Sequence, residues 1–292
     1  MLRGGESVGN SGARPYRSVL YIPASRERAL EKARELQTDA IIFDLEDAVS
    51  PEEKLRAREL LAGVLAEADY GARARIVRVN GLGTEWVAGD LAAFGGHPGV
   101  DAVLVPKVNS PVDLDAVAAK VRAPLWAMLE TAKGCLNAGA IARHPRLEGM
   151  VMGTNDLAKE LGARFRSDRL PLLAGLGACV LAARAEGRVI VDGVFNAFKD
   201  EAGLRAECEQ GRDMGFDGKT LIHPAQLAVA NEVFAPSEEE VALARRQIAA
   251  FAEARARGDG VAVVDGRIVE NLHVAVAEAL IGKAEAIAAV AV

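Results

Sequence analysis

Short apolar runs alternate with segments of helical periodicity along most of the chain, and this alternation limits the folds open to it. Eight apolar runs have the length of buried strands, and a helical stretch follows each of them. They are Val19–Ile22, Ala40–Phe43, Ile76–Val79, Ala102–Val105, Leu125–Leu129, Met150–Met152, Val189–Val191 and Lys219–Ile222. Eight βα units in about 220 residues predict an α/β fold of the (β/α)8 TIM-barrel type, with a doubly wound sheet as the alternative.

The pattern changes after Pro236. A charged helix is predicted for Glu238–Arg257, followed by a short strand at Val261–Val264, a turn at Asp265–Gly266 and a last alanine-rich helix. This segment is too small to bury a core of its own. Residues 237–292 are therefore predicted to form a small C-terminal helical lid subdomain that packs on the barrel or on a neighbouring subunit.

The barrel itself is assigned to residues 16–236, which contain all eight βα units. Residues 1–15 contain glycine and serine without periodicity and are predicted to be a disordered tail. No stretch approaches the roughly 20 apolar residues of a membrane span, and the opening residues lack the apolar segment of a secretory signal. These features predict a cytoplasmic protein without a membrane partner.

Charge and cysteine content restrict the partners. A net charge of −6 gives no general attraction to nucleic acid, whereas the local basic residues between Arg14 and Arg34 could hold a phosphorylated small molecule. Cys135, Cys179 and Cys208 lack the short paired spacing of a zinc site, which predicts reduced core thiols. The chain also lacks a phosphate-binding loop, a dinucleotide fingerprint and a G-x-S-x-G nucleophile elbow.

Carboxylates follow three of the predicted strands where each apolar run ends. The second strand runs into Asp44-Leu45-Glu46-Asp47, the fifth is followed by Glu130, and the sixth by Gly153-Thr154-Asn155-Asp156. Because the carboxyl ends of barrel strands meet at one face, these acids should converge. Oxygen ligands on rigid strands suit Mg²⁺ or Mn²⁺, so Glu130 and Asp156 are predicted to fill two positions around a metal. Taken alone, each acid is also compatible with a helix cap.

Basic and other polar side chains occupy equivalent positions on other strands. Arg78 ends the third strand and could either pair with one of the acids or polarise a substrate carbonyl or carboxylate. Lys107 follows the fourth strand and could neutralise the neighbouring acids. Asp192 and His223 follow the last two strands and could orient loops or contact substrate. Spacing alone leaves these alternatives open.

Several motifs, in this order along the chain, resemble the citrate lyase β-subunit-like group of the HpcH/HpaI aldolase family, which includes malyl-CoA and citramalyl-CoA lyases. The resemblance runs from residue 17 to about residue 290. The motifs that carry it are Arg17-Ser18-Val19-Leu20-Tyr21-Ile22-Pro23, Phe43-Asp44-Leu45-Glu46-Asp47-Ala48-Val49, Val77-Arg78-Val79-Asn80, Val105-Pro106-Lys107, Leu129-Glu130-Thr131, Gly215-Phe216-Asp217-Gly218-Lys219 and Ile222-His223-Pro224.

The resemblance implies a barrel of the phosphoenolpyruvate/pyruvate type, assembled as a homotrimer or hexamer, with Mg²⁺ at Glu130 and Asp156. It implies that Glu46 and Asp47 hold the waters of the metal. The residues that we therefore expect to be catalytic are Arg78, Glu46, Asp47 and Glu270, and those that we expect to bind substrate are Arg17, Lys32, Arg78, Gly153, Thr154 and Asn155.

The implied reaction is a metal-dependent carbon–carbon cleavage of a 3-hydroxyacyl-CoA into an acyl-CoA and a small 2-oxoacid, and this lyase is the first hypothesis. The alternatives are a malyl-CoA thioesterase on the same scaffold, in which Glu270 activates water, a non-catalytic acyl-CoA-binding subunit, and a free-acid aldolase. The chain departs from the family pattern at Ala24, where glycine is common, and at Glu270, where the lid usually has aspartate.

Overall fold

All eight predicted apolar runs form strands of one closed barrel. In the computed structural model, which describes residues 14–290, the strands are parallel and neighbour one another in chain order. They are β1 (Ser18–Pro23), β2 (Ala40–Asp44), β3 (Ala74–Arg78), β4 (Ala102–Val105), β5 (Leu125–Leu129), β6 (Leu147–Met152), β7 (Val189–Asp192) and β8 (Gly218–Leu221). The predicted (β/α)8 barrel is confirmed, and the doubly wound sheet is excluded. Residues 1–13 of the predicted disordered tail lie outside the described residues.

At least one helix follows each strand. The helices are α1 (Glu27–Lys32), α2 (Lys54–Glu67), α3 (Val87–Phe94), α4 (Pro111–Ala118), α5 (Ala132–Leu136), α6 (Ala138–Ala142), α7 (Thr154–Glu160), α8 (Leu173–Ala185), α9 (Glu201–Met214) and α10 (Leu227–Val233). No helix within residues 14–290 is long and apolar enough to cross a membrane.

Helix α1 begins after the N-cap residue Arg26, because the N–H groups of Ala29 and Leu30 both bond to the carbonyl oxygen of Arg26. The hydroxyl of Ser25 is buried and has no hydrogen-bond partner among the described residues.

The strands carry two apolar layers, because successive side chains of a strand point to opposite faces. One layer fills the barrel interior and the other packs between strands and helices. Interior positions include Val19, Ile42, Ile76, Leu104, Trp126 and Val151, and outer positions include Leu20, Ile41, Val77, Val103 and Ala127. Tyr21, Asp44, Arg78 and Met128 each follow an interior residue by two positions. The same alternation therefore turns these four side chains into the C-terminal mouth of the barrel.

A buried group of ion pairs joins β7, β8 and α9 outside the barrel. The carboxylate of Asp192 accepts hydrogen bonds from Arg169 Nη1 at 2.6 and 2.8 Å and from Lys219 Nζ at 3.1 Å. Lys219 Nζ also lies 2.7 Å from Glu207 Oε1. Burial alone would raise the pKa of Asp192, but the charges of Lys219 and Arg169 outweigh it and hold that pKa below its ordinary value. Asp192 is thus a structural residue that ties the last two barrel strands to a helix and a loop.

Residues 235–290 form a second compact unit. Its elements are α11 (Glu238–Ala256), β9 (Ala262–Val264), β10 (Arg267–Val269) and α12 (Asn271–Val290). The two strands form an antiparallel hairpin, and Asp265 and Gly266 at its turn have φ angles of 49° and 75°, the conformation that an Asp-Gly turn favours. A small core forms between the helices and the hairpin from Phe251, Ala254, Ala262, Val269 and Val274. That this unit acts as a lid stays a prediction.

The buried ion pairs yield a stability prediction. Asp192→Asn leaves Arg169 and Lys219 buried without their shared counter-charge, so the free energy of unfolding should fall by about 3 kcal/mol or more in denaturant titrations at pH 7. Because the pKa of Asp192 is lowered on folding, its contribution is complete above the unfolded-state pKa of about 3.9 and is lost as the pH falls below that value.

Arg205→Ala is the matched control, since Arg205 on α9 pairs with Glu232 at 2.8 Å on the exposed surface. Arg205→Ala should lower the free energy of unfolding by less than about 1 kcal/mol. Equal losses for the two variants would contradict a structural role for the buried group.

Candidate active site

A cavity of about 360 Å³ opens at the C-terminal mouth of the barrel. Its lining brings together the predicted metal ligands Glu130 and Asp156, the predicted catalytic residues Arg78 and Asp47, and the predicted substrate-binding segment Gly153–Asn155. These residues come from β2, β3, β5 and β6, which are distant in sequence and share one end of the barrel. The roles of these residues stay predictions, but their convergence follows directly from the parallel strand order.

Arg78 is the centre of an ion-pair network with the acidic loop after β2. Its Nε donates to Asp44 Oδ1 at 2.7 Å and its Nη2 donates to the second oxygen of the same carboxylate. Its Nη1 lies 3.0 Å from Glu46 Oε2 and 3.3 Å from Asp47 Oδ2. Burial disfavours the guanidinium cation, but Asp44 and the other nearby acids outweigh this effect and raise the pKa of Arg78 further. Arg78 therefore neutralises the buried part of the loop and keeps a fixed orientation.

Two lysines also offset the negative charge of this loop. Lys54 Nζ donates to the carbonyl oxygens of Leu45 and Glu46 at 2.7 and 2.6 Å. Lys107 has a left-handed backbone with φ of 53°, which directs its N–H to Glu130 Oε1 at 2.7 Å, while its Nζ pairs with Glu46. Burial raises the pKa of Glu46 above its ordinary value, although the charges of Arg78 and Lys107 oppose the rise. Lys107 thus neutralises Glu46 through its ammonium group and orients Glu130 through its backbone N–H.

Glu130 is buried at the floor of the cavity with little protein charge to balance it. Burial raises the pKa of Glu130 to about 8, and the negative charge of Glu46 contributes to this rise. Gly153 makes room for this carboxylate, because a Cβ at residue 153 would lie only 2.7 Å from Glu130 Oε2. Asp156 on α7 is half-buried in the same cavity wall. A cation beside Glu130 would offset the burial cost of its ionised form.

The residues present fit a hard dication. Five carboxylates, those of Asp44, Glu46, Asp47, Glu130 and Asp156, gather near three cationic side chains, those of Lys54, Arg78 and Lys107. Oxygen ligands are the donors that Mg²⁺ and Mn²⁺ prefer. Within residues 14–290 no group of three or more His, Cys, Asp or Glu side chains is arranged to hold a metal by itself. Glu130 and Asp156 would therefore be joined by water or substrate.

Arg17 does not join the other predicted substrate-binding residues at the cavity, and its role in substrate binding stays a prediction. Arg17 precedes β1 and therefore lies at the N-terminal end of the barrel, away from the cavity. There its guanidinium and its backbone N–H both bind the Asp39 carboxylate, at 2.7 to 2.9 Å. Lys32 is exposed at the end of α1, and Glu270 is exposed just before α12 in the second unit. The roles of Lys32 and Glu270 stay predictions.

His223 has a local structural role. Its Nδ1 accepts a hydrogen bond from the backbone N–H of Ala225 at 3.1 Å, and its ring stacks on Phe198 with 4.4 Å between centroids. Ala24 is buried and its N–H donates to the carbonyl oxygen of Asp44 at 3.0 Å. The loop after β1 thus accommodates alanine at the position where glycine is common in the family.

Tyr21 and Asn196 are polar residues of the cavity lining that do not appear among the residues predicted from sequence. Tyr21 on β1 lines the cavity, with Arg78 Cζ 5.1 Å from the centroid of its ring. Asn196, in the loop after β7, exchanges amide hydrogen bonds with Asn155 at 2.8 and 3.2 Å. The alternation of β1 would have placed Tyr21 inside the barrel, but no sequence signal indicates the pairing of the two asparagines.

Comparison with known proteins adds independent information. Residues 17–224 match the model of the HpcH/HpaI aldolase/citrate lyase family. The chain is 69% identical over 278 residues to a protein from Cereibacter sphaeroides named (3S)-malyl-CoA thioesterase, covering 95% of this chain and 97% of the relative. It is 35% identical over 310 residues, with the same coverages, to an L-malyl-CoA/beta-methylmalyl-CoA lyase from the same species.

Among solved structures, CitE from Mycobacterium tuberculosis in complex with magnesium, acetoacetate and coenzyme A superposes with a TM-score of 0.77. That protein is 31% identical, and the match covers 94% of this chain and 99% of that one. The relatives at 69% identity are named thioesterases and the lyases are far more distant, so the prediction of a carbon–carbon lyase as the main function is wrong. The match over residues 17–224 and the identities to these relatives establish that the chain belongs to the HpcH/HpaI aldolase/citrate lyase family.

Proposed function

We propose that the protein is a thioesterase that hydrolyses (3S)-malyl-CoA, or a closely related 3-hydroxyacyl-CoA, to the free hydroxydiacid and CoA. The observation that carries the proposal is the 69% identity, over 95% of this chain, to a protein named (3S)-malyl-CoA thioesterase. The cavity supports it, because the carboxylates and the one guanidinium in its lining suit a small acidic substrate held through a cation.

We propose further that Glu130 and Asp156 hold Mg²⁺ or Mn²⁺, which when bound supplies positive charge to oxygen atoms of the substrate. A structural relative that contains magnesium, acetoacetate and coenzyme A supports this assignment. Lys107 would keep Glu130 in place through its backbone N–H, and Gly153 would leave space beside it. Thr154 and Asn155, at the same wall, would donate hydrogen bonds to the acidic end of the substrate.

Hydrolysis also needs a base for the attacking water. The water oxygen bonds to the thioester carbon, the carbon–sulfur bond breaks, one water proton goes to the base and the thiolate of CoA takes up a proton. Asp47 is suited to the base role, because it lines the cavity and its carboxylate is 60% exposed, whereas those of Asp44 and Glu46 are buried in ion pairs. Arg78 Nη1, 3.3 Å from Asp47 Oδ2, would orient that carboxylate toward the water.

The reaction itself is tested with purified protein, (3S)-malyl-CoA and Mg²⁺. Thiol detection and mass spectrometry should find free CoA and malate in equal amounts, because water is the second reactant. A carbonyl trap should find no glyoxylate. Accumulation of acetyl-CoA and glyoxylate, or an unchanged substrate, would contradict the proposal.

Removal of one proposed metal ligand gives a second prediction. Glu130→Gln keeps the shape of the side chain and the hydrogen bond from Lys107, but removes the negative charge. Mg²⁺ binding in calorimetry should be lost, and hydrolysis should fall by at least about 100-fold. Glu160→Gln is the control, because Glu160 is exposed at the end of α7 and does not line the cavity. Wild-type Mg²⁺ affinity in Glu130→Gln would refute the assignment.

A third prediction separates the two candidate bases. Asp47→Asn should lower kcat by about 100-fold or more and leave Mg²⁺ affinity nearly unchanged, because the side chain keeps its shape and loses its proton acceptor. If Asp47 is the base, Glu270→Gln should lower kcat less than Asp47→Asn does. A large loss confined to Glu270→Gln would assign the water-activating role to Glu270 instead.

A further inference from the structure

Tyr21 presents an uncommitted hydroxyl group in the cavity. The residue lies on β1, where it pairs in register with Ile42 of β2, and its ring packs against the guanidinium of Arg78. Its hydroxyl makes no hydrogen bond to any residue in the part of the chain that the structure describes. Tyr70 is different, because its hydroxyl donates to the carbonyl oxygen of Leu30 at 3.0 Å. Tyr21 is half-buried in the cavity lining, so its hydroxyl can donate a hydrogen bond to a molecule that enters the cavity.

The surroundings keep this hydroxyl protonated. Burial raises the pKa of Tyr21 well above its ordinary value, and the charges of Asp44 and Glu130 add to the rise, while Arg78 opposes it. Tyr21 is therefore a neutral O–H donor over the whole physiological pH range. It can stabilise negative charge that develops on a substrate oxygen, but it cannot act as a base.

The charged donors around the cavity already have partners. Arg78 donates to the acids of the β2–α2 loop, Lys107 to Glu46 and Glu130, and Lys54 to two backbone carbonyl oxygens. Tyr21 and Thr154 remain as hydroxyl donors without a protein acceptor among the described residues. Tyr21 lies on β1, and Thr154 is the first residue of α7, which follows β6.

The position of the two hydroxyls indicates which end of the substrate each one meets. Glu130 and Asp156 follow β5 and β6, on the same side as Thr154, and the proposed function assigns the acidic end of the substrate to that side. With its acidic end there, the substrate would extend its thioester toward β1, β2 and β3. Tyr21, Asp47 and Arg78 line this second side, where the Tyr21 hydroxyl and the proposed base would meet the reacting carbon.

We propose that Tyr21 is a further catalytic residue, whose hydroxyl donates a hydrogen bond to the thioester carbonyl oxygen when water attacks the carbon. The inference rests on the proposed hydrolysis. In that step the carbonyl oxygen gains negative charge as the water oxygen bonds to carbon, and it loses this charge when the carbon–sulfur bond breaks. A hydrogen bond that strengthens as the charge forms lowers the barrier without tightening substrate binding.

Tyr21→Phe tests this role because it removes only the hydroxyl. The ring stays against Arg78, and no protein hydrogen bond is lost, so the thermal unfolding midpoint and the Mg²⁺ affinity should not change. Loss of one donor to a developing oxyanion lowers kcat by about 100-fold, and KM should stay within about threefold of wild type. Replacement of Tyr21 by 3-fluorotyrosine, which keeps the donor, should restore most of kcat.

Tyr70→Phe is the matched control with the opposite expectation. It removes the hydroxyl that bonds to Leu30, and neither of these residues lines the cavity, so the unfolding midpoint should fall while kcat stays at the wild-type value. Thr154→Val tests the other free hydroxyl. It should raise KM more than it lowers kcat, because Thr154 is assigned to the acidic end of the substrate.

Three outcomes would overturn the role of Tyr21. These are a kcat of Tyr21→Phe within about threefold of wild type, a parallel loss of Mg²⁺ affinity or stability, and a fall in kcat that appears only in Thr154→Val. Failure of the proposed function is distinguishable from all three. In that case the wild-type protein itself releases no CoA from (3S)-malyl-CoA, whereas failure of this inference alone leaves wild-type hydrolysis intact.

Discussion

The ion pairs between Arg78 and the acidic loop after β2 are the interaction on which the rest of the site depends. A buried guanidinium held by both oxygens of Asp44 cannot move without leaving a buried charge unpaired, which costs several kcal/mol in proteins. The same group also contacts Glu46 and Asp47. Asp44 and Glu46 are thereby neutralised, Asp47 stays exposed at the cavity surface, and Glu130 and Asp156 remain available for a cation.

The barrel uses similar residue types for two purposes, and strand alternation decides between them. Asp44 and Arg78 occupy interior positions of β2 and β3 and meet in the mouth of the barrel. Asp192 and Lys219 occupy outer positions of β7 and β8, where they meet beneath α9 and line no part of the cavity. An acid at the end of a barrel strand therefore faces either the mouth of the barrel or the surrounding helices, depending on whether its position along the strand is an interior or an outer one.

Much of the fold and part of the site could be predicted from sequence. The eight apolar runs predict the barrel, because a strand that is buried on both faces appears in the sequence as a short continuous apolar run. The acids that follow these runs predict part of the cavity lining. The position of Arg17 away from the cavity follows from its place before β1, because a residue before a strand lies at the opposite end of the barrel from one after it. The pairing of Asn155 with Asn196 and the free hydroxyl of Tyr21 depend on three-dimensional contacts.

The chemistry was harder to predict than the scaffold. Cleavage and hydrolysis of a hydroxyacyl-CoA can share a cation, an arginine and a set of carboxylates, so strand-end residues do not separate the two reactions. The identity of 69% to a protein named a thioesterase, against 35% to a protein named a lyase, is the observation that favours hydrolysis.

The most direct test of the account is a crystal structure with Mn²⁺, located by its anomalous scattering. The account predicts one cation bound by carboxylate oxygens of both Glu130 and Asp156, with Arg78 still paired to Asp44. A cation bound instead by Asp44 or Asp47, with Arg78 displaced from the loop, would contradict it.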